Sequence, residues 1–91
     1  MIVTLAEAKE YLRVDTYVEN SLIETLMAAA QTLCEDVSRL DTSEFEAAGD
    51  VAKIATLFTL GYLYEHREEA DHHELTLRLR SLLNGIRKAA F

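Results

Sequence analysis

The sequence has no proline and no tryptophan, and only three glycines. Folds made of many short strands need tight turns, and tight turns draw on glycine and proline, so few long helices are the expected class. One cysteine, Cys34, leaves no partner for an internal disulfide. No stretch reaches the roughly 18 uninterrupted apolar residues of a membrane span. The opening MIVTLAEAKE lacks a basic region followed by an apolar run, so it does not read as a secretory signal. Gly49, Gly61 and Gly85 stand apart from one another, which excludes a glycine-rich phosphate loop. The expectation is a soluble, intracellular protein without a membrane partner.

What remains is an ordinary globular balance, 49% hydrophobic and 27% charged, in 91 residues. That is the size of one small domain, expected to span 1–91. The net charge of −7 opposes a nucleic-acid grip by the whole surface. The charge is also polarised. Residues 1–50 carry three basic and eleven acidic side chains, while 51–91 carry six basic and five acidic. From Leu75 onward Arg78, Arg80, Arg87 and Lys88 meet no acid. Matching of side chains to helix dipoles produces such a pattern, and so does contact between unlike surfaces.

Hydrophobic spacing gives four helical segments, an all-α bundle with two long central helices. The first covers about Leu5 to Arg13, with Thr4 and Glu7 spaced as a capping box. The second starts at Tyr17 or Ser21, where Thr16/Glu19 and Ser21/Glu24 offer competing boxes, and runs to Leu40. Its stripe is Ile23, Met27, Ala30, Cys34 and Val37, and the run Ala28-Ala29-Ala30 keeps its middle thin. The acidic DTSEFEAAGD of 41–50 reads as a connection. A third helix begins between Glu44 and Val51 and ends near Glu68; a fourth covers about His73 to Ala89, with a stripe of Leu75, Leu79, Leu82, Leu83 and Ile86. The third is apolar nearly all round. Val51, Ile54, Ala55, Phe58 and Tyr62 form one stripe, and Leu57, Leu60, Gly61 and Tyr64 another. Such a helix needs cover on most sides, and part of that cover is expected from other subunits.

Candidate chemistry concentrates in YLYEHREEADHH, residues 62–73, which holds all three histidines. Helical zinc sites place ligands at i and i+4, and the residue four beyond His66 is Ala70. His72 and His73 are adjacent and diverge on a helix. The segment therefore reads as an exposed turn, not a metal site. Cys34 lies on an apolar stripe, where a thiol is inert. The carboxylate pairs Glu35-Asp36 and Glu44/Glu46 lack an apolar pocket to raise a pKa. Catalytic, metal and cofactor residues are expected to be absent, and the chain is not expected to be an enzyme.

Three stretches in order, TLAEAKEYLRVD at 4–15, LIETLMAAAQTLCED at 22–36 and LFTLGYLYEHREEA at 57–70, resemble the head–tail connector (head-completion adaptor) family of tailed bacteriophages. The family opens on a T-L-x-E-A-K-x-x-L-R-[VI]-D motif, continues with a D-x-L-I-x-x-L-I-x-A-A helix, and closes its long apolar helix with an H-[LW]-Y-E-x-R-E-A-like ending, here Gly61-Tyr62-Leu63-Tyr64-Glu65-His66-Arg67-Glu68. The chain departs from the pattern in its short 41–50 connection and in its ending GIRKAAF, where members carry proline. The resemblance implies an all-helical structural virion protein that forms a ring of about a dozen copies, a closed cyclic homo-oligomer. The ring would dock on the portal protein after DNA packaging, extend the DNA channel, and receive the next head-completion or tail protein. Genomic DNA would pass without sequence-specific binding. Its place would be the virion's head–tail junction, and the bacterial host cytoplasm during assembly.

On that basis the expected subunit interface comprises Leu57, Leu60, Tyr64, Arg78, Arg80 and Arg87. Val51, Ile54 and Phe58 would then face the second helix, and Leu26, Ala30, Leu33 and Phe58 would be buried where the two long helices cross. A small helical adaptor or regulator from a prophage or bacterial operon is the alternative. A helix-turn-helix DNA-binding protein is disfavoured by the acidic charge.

Overall fold

The computed structural model describes residues 1–66 and 73–87. The elements are α1 (Leu5–Leu12), α2 (Asn20–Ser38), α3 (Thr42–Ala47), α4 (Asp50–Glu65) and α5 (His73–Leu82), and no strand occurs among the described residues. The all-α expectation and the two long central helices hold.

α2 and α4 form the main helix pair; α1 and α5 each lie against both, and α3 bridges them at one end. α1 starts as its spacing predicts. Thr4 Oγ1 accepts from Glu7 N–H at 3.1 Å, and Glu7 Oε1 accepts from Thr4 N–H at 3.0 Å. Its end is a left-handed Arg13 (φ 60°), after which Val14 N–H donates back to the Lys9 carbonyl at 2.9 Å. α2 uses neither expected capping box. It begins after Glu19, which makes no side-chain cap. The Glu19 carboxylate instead accepts from the Tyr64 hydroxyl, which ties the α1–α2 turn to the far end of α4.

The α2 stripe is buried as its spacing predicts: Ile23, Met27, Ala30, Cys34 and Val37. Ala28 and Ala29 are exposed, so only Ala30 of the alanine run thins the crossing. The 41–50 connection contains a helix that the sequence reading passed over. A box between Asp41 and Glu44 caps α3, with N–H···O distances of 2.8 and 3.1 Å. Six residues are too few to hold a helix alone. Phe45, fully enclosed, pins it to the core. α5 stops at Leu82, short of the expected Ala89. Leu75, Leu79 and Leu83 are buried and Ile86 partly so, but Leu82 faces out.

The orientation of α4 corrects the sequence expectation. Its inward residues are Ala52, Ala55, Thr56, Thr59, Leu60 and Leu63. Leu60, assigned to a neighbouring subunit, is 0% exposed within its own chain, whereas Ile54, assigned to the core, is 58% exposed, and Val51 also faces out. Phe58, Leu26 and Leu33 are only partly buried; of the four residues placed at the crossing, Ala30 alone is enclosed. The reason is side-chain size. A stripe drawn through the bulkiest residues missed one made of alanine and threonine. Each threonine hydroxyl donates to the carbonyl four residues back, Thr56 to Ala52 and Thr59 to Ala55, both at 2.8 Å. The hydroxyls are thus satisfied inside the helix and can be buried, and the small face admits α2 closely.

Candidate functional site

Arg87, placed at the interface by sequence, is held to its own chain. Its Nε donates to the Val37 carbonyl at 2.9 Å, in the last turn of α2. A cation there satisfies an orphan carbonyl and complements the helix dipole. Arg78 pairs with Glu74 at 3.1 Å on the exposed face of α5, and Arg80 is exposed. Leu57 and Tyr64 are partly buried, and the Tyr64 hydroxyl is committed to Glu19. The structure therefore does not bring the six expected residues to one surface. Arg39, Arg80 and Arg87 instead line a shallow groove of about 440 Å³ with Asp36, between α2 and α5.

Two other surfaces come together at α4. One is a cleft of about 610 Å³ where the C-terminal ends of α1 and α4 meet α5, lined by Tyr11, Arg13, Phe58, Tyr62, His66 and Arg78 among others. Gly61 lets the Tyr11 ring lie close against α4, because a Cβ there would sit 3.0 Å from Tyr11 Cε2. The His66 ring stacks on Tyr62 at 4.1 Å between centroids, and Nδ1 lies 2.9 Å from the Tyr62 carbonyl. The second surface is an apolar groove of about 380 Å³ on the outer side of α4 and α5, lined by Ile54, Phe58, Arg78, Ser81 and Leu82.

Of the three histidines, His73 opens α5 and His66 ends α4; of the turn expected at 62–73, residues 62–65 belong instead to α4 with Leu63 buried, and 67–72, His72 among them, lie outside the described residues. Among the described residues no three histidine, cysteine or acidic side chains gather as a metal site would require. Cys34 is enclosed, with Sγ 3.3 Å from Thr59 Oγ1. Burial pushes its thiol pKa up, and hydrogen bonds to Thr59 and Thr56 only partly offset this. A thiol so placed stays protonated and unreactive.

The carboxylates near the chain start serve structure. Gln31, almost fully buried in α2, accepts from Ile2 N–H at 2.9 Å and donates to Glu35 at 3.0 Å and Glu46 at 3.3 Å. Glu46 also meets the Met1 ammonium at 3.0 Å; this partner first, and Gln31 second, hold its pKa below the ordinary value. The network fastens the first residues and α3 to α2. Sequence reasoning missed it, because a glutamine beside a hydrophobic stripe carries no signal of its partners.

No helix among the described residues is long and apolar enough to cross a membrane. Comparison with family models, curated proteins and solved structures finds no match.

Proposed function

We propose that this chain is a structural subunit of the head–tail junction of a tailed bacteriophage. Copies form a ring between portal and tail, extend the DNA channel, and take no part in catalysis. The observation that carries the reading is where the three resembling stretches fall. TLAEAKEYLRVD contains α1, LIETLMAAAQTLCED forms most of α2, and residues 57–65 of LFTLGYLYEHREEA form the C-terminal half of α4, and these three helices pack on one another. A motif set that together builds one unit is better support than three scattered likenesses.

Two further observations fit. The fold leaves Val51, Ile54 and Leu82 exposed on the outer side of α4 and α5, as a subunit that associates with others requires. The net charge of −7 suits a channel that DNA must slide through, since a basic wall would hold the phosphates. In this reading the partners are further copies, the portal protein and the next head-completion or tail protein. The ring would sit in the virion, and assembly would take place in the host cytoplasm. Electron microscopy of the concentrated protein with the portal protein of the same genome tests the proposal. Rings coaxial with the portal are expected, and a protein that remains monomeric beside intact portal overturns it. A small adaptor that receives a peptide in the cleft beside Tyr11 and Arg13 is the second reading, favoured by the aromatic lining of that cleft.

A further inference from the structure

Two exposed apolar features on this chain are complementary, and the fold keeps them apart. The first is a knob. Tyr17 and Val18, in the turn between α1 and α2, are 82% and 84% exposed, with Asp15 and Glu19 beside them. The second is the groove of Ile54, Phe58 and Leu82, whose one charged lining residue is Arg78. The exposed acid beside the knob is Asp15, Glu19 being held by Tyr64, and the charged residue at the groove is Arg78, whose pairing with Glu74 is exposed. The Tyr64–Glu19 contact places the knob's turn at the C-terminal end of α4. Ile54 lies ten residues earlier, about 15 Å along the helix axis. With Tyr17 and Val18 both more than four-fifths exposed, the chain does not fill its own groove with its own knob.

We infer that the occupant of the groove is the Tyr17-Val18 knob of a second copy of this chain. The inference rests on the connector reading and gives it a contact. Knob and groove are different patches, so each copy offers one of each and the contact can repeat from copy to copy. In this contact Asp15 approaches Arg78 and gives it an ion partner besides Glu74. This acid also disfavours nucleic acid or an anionic membrane as the knob's partner.

Disulfide trapping tests the pairing without requiring a stable free ring. Val18→Cys and Ile54→Cys lie on exposed positions, so neither threatens the fold, and the buried Cys34 stays silent in the unmodified control. With oxidised glutathione as oxidant, a mixture of the two single variants should give the mixed dimer about tenfold faster than either forms a homodimer, because a docked pair raises the effective thiol concentration. The double variant should give a ladder beyond dimer. Homodimers that form as fast as the mixed dimer overturn the pairing, and a double variant that stops at dimer overturns its repeat. The same reaction on portal-bound material separates the two claims. Rings without the mixed disulfide sink the pairing and leave the connector reading standing. A mixed disulfide with no ring on any portal keeps the pairing and sinks the connector reading.

Discussion

Gly49 precedes α4 with φ 69° and ψ −129°, a region closed to side-chain-bearing residues, yet nothing lies within 4 Å of where a Cβ would be. Gly49→Ala should therefore destabilise through backbone strain alone, by about 1–3 kcal/mol in urea unfolding. A neutral result would mean that the turn relaxes. Gln31 carries the opposite kind of cost. Gln31→Leu keeps the bulk but strands the Ile2 N–H, and should lose about 1–3 kcal/mol. No loss would mean that water takes over the bonds. Glu7 gives a pH signature. Its Oε1 caps α1 while its Oε2 receives Lys53 Nζ at 2.6 Å, joining α1 to α4. The Lys53 hydrogen bond, then the Thr4 N–H, holds its carboxyl below the ordinary value of 4.5. A lowered pKa in the folded state stabilises above the unfolded value and is lost as pH falls through the folded one. Wild type should thus exceed Glu7→Gln in stability above about pH 5, and the gap should close on acidification. A gap that widens toward acid contradicts the pairing.

At the scale of elements, α3 depends on one side chain. Phe45→Ala should cost about 3–5 kcal/mol, because the ring is fully enclosed, whereas Phe58→Ala should cost clearly less, its ring being only partly buried. Equal losses in urea unfolding would mean that the groove beside Phe58 is closed. The contrast shows how far the helices were legible. The period of Ile23, Met27, Ala30, Cys34 and Val37 identifies the buried face of α2 from sequence, since bulky and buried coincide there. In α4 they do not. Thr56 and Thr59 hide their hydroxyls in their own helix, and that compensation is invisible to a reading of hydrophobicity. α3 was missed because Asp41 and Glu44 look like loop acids until Phe45 is seen to point inward. Among the interface candidates, Leu60 and Arg87 turned out to be spent within the chain, because spacing alone does not say which stripe a neighbouring helix has already taken.

At the scale of the molecule, the accessible surface is 5744 Å². A monomer of this mass is expected to expose about 5,400 Å². The two values are close, and because Ala52, Ala55, Thr56, Thr59, Leu60 and Leu63 are buried within the chain, α4 needs less outside cover than its sequence suggests. Exposed apolar side chains among the described residues include Val51, Ile54 and Leu82 on the outer side of α4 and α5, Tyr17 and Val18 in the α1–α2 turn, and also Met1, Tyr11 and Leu77. Association through these patches carries a charge component that should weaken as salt rises, since exposed charges are screened beyond about 10 Å at 0.1 M. The measurement that tests the central claim most directly is the mass of the assembly formed with portal protein, for wild type and for Ile54→Glu. Wild type should give a ring of fixed copy number on the portal, and the folded variant should lose it. A wild type that stays monomeric, or forms only a closed dimer, at every concentration and with portal present contradicts the account.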